Sequence, residues 1–129
     1  MRWGPLPQPG DRRVRFLGGF NVPASGPFAR RHNVPRTWGE LVIETGRLSL
    51  GPRIDALGAL VPEIKLSVDD VLVACPTTPD PYGNTSGVAI VRNDAVQLYF
   101  WTRTPSQVLT ALEVLGFRIS DQPVEARIA

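Results

Sequence analysis

WGELVIETGRLSL, residues Trp38–Leu50, decides the fold of this chain. With Thr45-Gly46 as a two-residue turn, Glu44 falls opposite Arg47, Ile43 opposite Leu48, and Leu41 opposite Leu50. Aliphatic pairs then share one face, while an ion pair, Val42 and Ser49 share the other, as in an antiparallel hairpin with one buried face. Agreement at three successive pairs is stronger evidence than the Thr-Gly turn, a weaker signal than Asn-Gly.

Working outward, Val14 to Phe20 repeats the period of two, with Val14 and Phe16 on one side and Arg13 and Arg15 on the other. Gly18-Gly19 then marks a bulge or a sharp bend. Residues 21–37 carry Pro23, Gly26, Pro27 and Pro35 and read as a long loop, too broken for a helix or a central strand. Downstream, residues 51–62 are irregular, with room for one helical turn near Asp55 to Leu60. Ile64, Leu66 and Val68 line the inner face of another strand, and Asp69-Asp70 turns the chain. Val71 to Cys75 is a continuous apolar run, expected to be covered on both faces. Pro76 to Gly87 is a surface loop. Val88 to Arg92 and Val96 to Trp101 form a second hairpin across Asn93-Asp94-Ala95, in a register that the residues leave open.

The helix is the best-punctuated element. Thr104 stands at the N-cap, Pro105 at the first helical position, and Gln107 completes a capping box. Val108, Ala111, Leu112 and Leu115 fall on one face, with Leu109 at its margin. Gly116 ends the helix, and Phe117 can pack back on Leu112. The expected fold is therefore mainly β: a small antiparallel barrel or sandwich of about six or seven strands, capped by a C-terminal helix over about 105–115. A Pro-rich arm (1–11), in which Trp3 either docks or stands exposed, precedes one domain (12–120), and a tail (121–129) follows.

The 129-residue chain is 43% hydrophobic and 20% charged, the balance of one globular domain. No apolar run reaches the 18 or so residues of a membrane span, and residues 1–10 lack a signal peptide's apolar stretch, so a cytoplasmic location is expected. The single cysteine, Cys75, excludes an internal disulfide and a cysteine-based zinc site, and reads as a buried structural residue. The net charge of +2 hides an asymmetry: residues 1–36 hold seven arginines against one acid, and residues 37–129 carry a balance of −4. That basic front either meets an anionic partner or reflects a coding bias, since the chain has thirteen arginines and one lysine.

Chemistry-bearing constellations are not found. His32 lies in a basic loop with no neighbouring carboxylate to orient it as a base. Asp69-Asp70 lacks the other members of a metal site, and no cofactor is expected. The remaining candidates are contacts: Arg13, Arg15, Arg30, Arg31, His32 and Arg36 for a ligand or partner, and Asp80, Tyr82 and Asn84 as a loop rim. Trp38 and Trp101 are expected to cap the core edges. Nucleic-acid binding is disfavoured, because the one strong helix is apolar on one side and nearly uncharged on the other.

The stretches Trp38–Leu50, Ile64–Val71, Val88–Phe100 and Pro105–Phe117 together resemble the pleckstrin-homology-like barrel, nearest its bacterial and GRAM-related branches. That resemblance implies a non-enzymatic binding or adaptor module, monomeric or homodimeric, meeting a protein partner or an anionic surface through the basic loop 21–37. It also implies an alternative, a phosphoinositide or anionic-lipid binder in peripheral contact with a membrane. In that reading Arg13, Arg15, Arg30, Arg31 and Arg36 occupy the headgroup region, although Glu40 and Glu44 replace the usual basic second strand. A small hydrolase-like enzyme using Tyr82, Asp80, His32 and arginines ranks last.

Overall fold

A computed structural model describes residues 12–23, 31–53, 61, 63–78 and 86–126. Seven strands follow in chain order: β1 (Arg13–Val22), β2 (His32–Glu44), β3 (Arg47–Pro52), β4 (Ile64–Ser67), β5 (Val71–Pro76), β6 (Gly87–Arg92) and β7 (Gln97–Trp101). The helix α1 (Pro105–Val114) comes last. All strand pairs are antiparallel, in the spatial order β4-β3-β2-β1-β7-β6-β5. The two outermost strands, β4 and β5, are consecutive in sequence, joined only by the 3-10 turn Val68–Asp70. The sheet therefore folds round on itself until its edges meet at one corner.

Both halves line a single core. Phe20, Leu41, Ile43 and Leu50 pack in one cluster with Val88, Ile90, Leu98 and Phe100, and Val108 and Leu112 of α1 close it. This is the expected β fold with its helical cap. At the open end, Gly46 N–H donates to Leu115 O (2.8 Å) and Val68 N–H donates to Gly46 O (2.8 Å). The β2–β3 turn, the end of β4 and the end of the helix are thus tied together by backbone.

The register of the Trp38–Leu50 hairpin is as read: Leu41↔Leu50, Ile43↔Leu48 and Glu44↔Arg47, the last also an ion pair at 3.2 Å. In the second hairpin Val88 meets Phe100 and Ile90 meets Leu98. Arg92 N–H donates to Val96 O, so the loop has three residues, and Ala95 takes the left-handed conformation (φ 69°) that such loops place before the second strand.

The sharp bend is built at the glycines. Pairing of β1 with β2 passes from Gly18↔Gly39 to Phe20↔Val34, so four residues of β2, Pro35–Trp38, bulge out against Gly19 alone. A Cβ on Gly18 would stand 2.3 Å from Trp101 O, and one on Gly19 would stand 2.5 Å from Val34 O. Only glycine lets three strands cross this closely.

Four expectations are corrected. Residues 21–37 are not all loop: β1 runs to Val22 and β2 starts at His32, with Asn21↔Asn33 and Val22↔His32 paired beyond the bulge. Pro35 is tolerated because it lies in that bulge, where no ladder donor is needed. Val68 does not line the core; it turns outward into the 3-10 turn, 37% exposed. β5 is an edge strand with Leu72 exposed, although Ala74 and Cys75 are buried. The capping box at Thr104 does not form, because the Thr104 hydroxyl pairs with the Thr102 hydroxyl (3.3 Å) instead. The proposed turn at 55–60 lies outside the described residues.

The helix C-terminus matches its reading. Gly116 (φ 107°) sends its N–H to Glu113 O (3.1 Å), and Phe117 N–H reaches Leu112 O (2.9 Å), a Schellman closure with Phe117 buried. A Cβ at Gly116 would meet no side chain, so Gly116→Ala carries only conformational strain. We expect a loss of about 1 kcal/mol in urea denaturation with an unchanged slope.

Candidate functional site

The predicted contact residues are dispersed by the fold. Arg13 and Arg15 do project from the outer face of β1, but β2 sets an acid against each. Arg15 Nε donates to Glu40 Oε2 at 2.7 Å, and Arg13 lies opposite Glu44. A groove of about 390 Å³ crosses this outer face, and the charged side chains lining it are Arg13, Arg47, Lys65, Glu40, Glu44 and Glu63. Three cations stand against three anions there, so the groove offers an anionic ligand no net attraction.

Arg31 is turned inward. Its guanidinium donates to the Asn21 side chain, to Asn21 O (3.3 Å) and to Gln97 O, and lies over the Tyr99 ring, 5.2 Å from the centroid. Tyr99 stacks on Trp101 (5.6 Å, 7° between planes) and donates its hydroxyl to Gln97 Oε1. Asn33 Oδ1 accepts from Asn21 Nδ2 (3.2 Å) and from Trp101 Nε1 (3.0 Å). Among the described residues no buried side-chain polar atom lacks a partner. Burial lowers the Arg31 pKa from its usual value, since all these acceptors are neutral. This network anchors the start of β2 and commits Nε and Nη2 of Arg31 to neighbours within the fold.

His32 is half-buried in a strand and not in a solvated loop, and among the described residues it makes no hydrogen bond to a carboxylate. Burial pushes the Cys75 thiol up, so thiolate is scarce there. No group of three or more metal-ligating side chains occurs among the described residues. Arg30, Asp80, Tyr82 and Asn84 lie outside the described residues.

Arg36 is also without an ion pair among the described residues, and the fold gives it a companion. It stands on the bulge of β2, beside a groove of about 460 Å³ lined by Leu17, Arg36, Thr102, Arg103 and Thr104. Among the described residues neither arginine is in an ion pair and no carboxylate lines the groove. The first turn of α1 adds the positive end of its dipole. Two large apolar side chains, Leu17 (46% exposed) and Trp38 (47%), stand at the same bend. Trp38 is therefore not the core-edge cap expected of it, whereas Trp101 is buried. Sequence reading missed Leu17 and Arg103. Leu17 was read only as part of a strand, and Arg103, between the last strand and the N-cap Thr104, has no local pattern that brings it to Arg36.

An uncompensated pair of guanidiniums flanked by exposed Leu and Trp suits an acidic, partly apolar ligand: charge sets orientation and approach, and the apolar side chains supply contact area. No protein-family model, characterised protein or solved structure matches this chain.

Proposed function

We propose that this chain is a non-enzymatic binding module of the pleckstrin-homology-like type, and that it holds an acidic segment of a protein partner at the β2 bulge. The strand order, four plus three antiparallel strands with a C-terminal helix across the opening, supports the fold assignment. One observation carries the functional reading: among the described residues Arg36 and Arg103 share a groove with no carboxylate, while Arg15 is ion-paired with Glu40 and Arg13 lies across from Glu44 in a groove of balanced charge. Exposed Trp38 and Leu17 favour a protein over a bare anionic surface, because Trp and Arg are the side chains that most often anchor protein interfaces. Among the described residues no helix is long and apolar enough to cross a membrane. A cytoplasmic setting suits the buried free thiol of Cys75.

The test uses a fluorescein-labelled dodecapeptide rich in Glu and Asp with one Leu and one Phe, titrated by fluorescence polarisation. Wild type should bind it with an affinity that falls as salt rises. Arg36→Glu with Arg103→Glu should weaken binding by roughly tenfold or more, the scale of losing two charge-assisted contacts. Arg13→Glu, on the compensated face, should change it by less than about twofold. Equal losses from both variants would remove the bulge from consideration. Pelleting with phosphatidylserine vesicles but no peptide binding would favour the lipid alternative.

A further inference from the structure

The outer side of β5 has no strand of the sheet beside it, yet its backbone is occupied. The segment after α1 runs parallel to it, with bridges Ala74↔Ile119 and Thr77↔Val124. Ala74 N–H donates to Arg118 O (2.9 Å) and Ser120 N–H donates to Ala74 O (2.9 Å). Further on, Val124 N–H donates to Pro76 O (3.0 Å) and Thr78 N–H donates to Val124 O (2.8 Å). Between the two anchor points Asp121, Gln122 and Pro123 are exposed and leave the ladder. Val124 and Ala126 pack on a small outer cluster of Cys75, Ala89, Tyr99 and Trp101, separate from the main core. Glu125 points to solvent, so the segment presents itself as a strand, apolar at alternate positions.

This attachment is slight compared with that of the long strands β1 and β2, which pair over nine residues. Four backbone hydrogen bonds and two modest side chains hold it, and Ile119 is its only residue packed against the main core. Segments with so few buried contacts open first, below the free energy of global unfolding. The cover also has a purpose in its present place, since a bare edge strand invites uncontrolled pairing.

We propose that Arg118–Ala126 is a detachable strap over a strand-addition site on β5, and that an extended segment of a partner protein, apolar at the two alternate positions now held by Val124 and Ala126, takes its place. The backbone bonds at Ala74, Pro76 and Thr78 serve any extended chain, and the contacts beneath Val124 and Ala126 select the side chains. Tethering gives the strap a high effective concentration, so the partner adds only when the strap is released or outcompeted. The site is apart from the Arg36–Arg103 groove, and the two readings stand or fall separately.

Cys75, the only cysteine, is 2% exposed within the cluster that the strap covers, so its reaction with a thiol reagent reports release. Val124→Asp should speed labelling of Cys75 by roughly tenfold or more while the cooperative thermal transition persists. A synthetic peptide RISDQPVEA, the sequence of residues 118–126, added in trans should slow labelling of that variant, and a scrambled peptide should not. Unchanged labelling in Val124→Asp, or no protection by the peptide, would overturn the proposal. Should the variant fail to fold, wild type in sub-denaturing urea decides. A labelling rate with a shallower urea dependence than global unfolding supports a detaching strap, and one that tracks unfolding throughout contradicts it.

Discussion

Gly18→Ala is expected to lower the thermal midpoint of this domain by roughly 10 °C, and Gly18→Val to leave it unfolded at room temperature. The added Cβ would stand 2.3 Å from the carbonyl oxygen of Trp101 and 2.7 Å from Phe100 Cζ. The first contact is with backbone and cannot be relieved by a rotamer change; β7 must move away from β1 at the pairs Gly19↔Trp101 and Phe20↔Phe100. Overpacking of this kind costs about 3 kcal/mol, a large share of the 5–15 kcal/mol that holds a domain of this size. At Gly46, by contrast, a Cβ meets nothing within 4 Å, and only the left-handed backbone (φ 74°) opposes substitution. Gly46→Ala should therefore cost only about 1 kcal/mol. Differential scanning calorimetry of the two variants separates the cost of close approach from the cost of conformation. Equal shifts would mean that the bend does not depend on the approach of β1 to β7.

The second large effect is expected at Arg31. Alanine there removes the donors to Asn21 and Gln97 and the cation over Tyr99, and leaves the side chain of Asn21, itself 2% exposed, short of a partner. Hydrogen bonds from a charged donor and a partly shielded cation–π contact together set the loss at about 3 kcal/mol. Arg31→Lys should recover less than half of it, because an ammonium cannot fork to two acceptors while lying flat on a ring. Near-ultraviolet circular dichroism should report the same event through the Tyr99–Trp101 stack. If Arg31→Ala is as stable as wild type and its aromatic signal is intact, the residue is free for a ligand after all, and the assignment of the site must be redrawn around it.

These residues also show where sequence carried the fold and where it stopped. The hairpin at Trp38–Leu50 was legible because its information is local: alternate side chains across a tight turn allow one register only. The helix end was legible for the same reason, with Gly116 and Phe117 closing on the preceding turn. The far half of the β1–β2 pairing was not. It joins segments that are not adjacent in sequence, runs through Pro35, and puts polar Asn21 and Asn33 where a strand would ordinarily show an alternating apolar face. Arginine pattern misled in a similar way. Arg13, Arg15, Arg31 and Arg36 look alike in the chain, yet the fold pairs Arg15 with Glu40, sets Arg13 across from a Glu44 already paired with Arg47, turns Arg31 inward onto Tyr99, and leaves Arg36 beside Arg103, which comes from the far end of the sequence. Whether a charge is free depends on its neighbours across the sheet, and composition does not contain them.

The claim that the β2 bulge is the contact surface is tested most directly by amide and indole chemical-shift mapping. The isotopically labelled chain is titrated with the acidic dodecapeptide at low salt. Shifts should gather at Leu17, Arg36, Trp38 and Thr102–Thr104, including the Trp38 indole N–H, with the outer face of β3 and β4 unmoved. Shifts centred on Arg47, Ser49 and Lys65, or the absence of any saturable shift at the bulge, would contradict it.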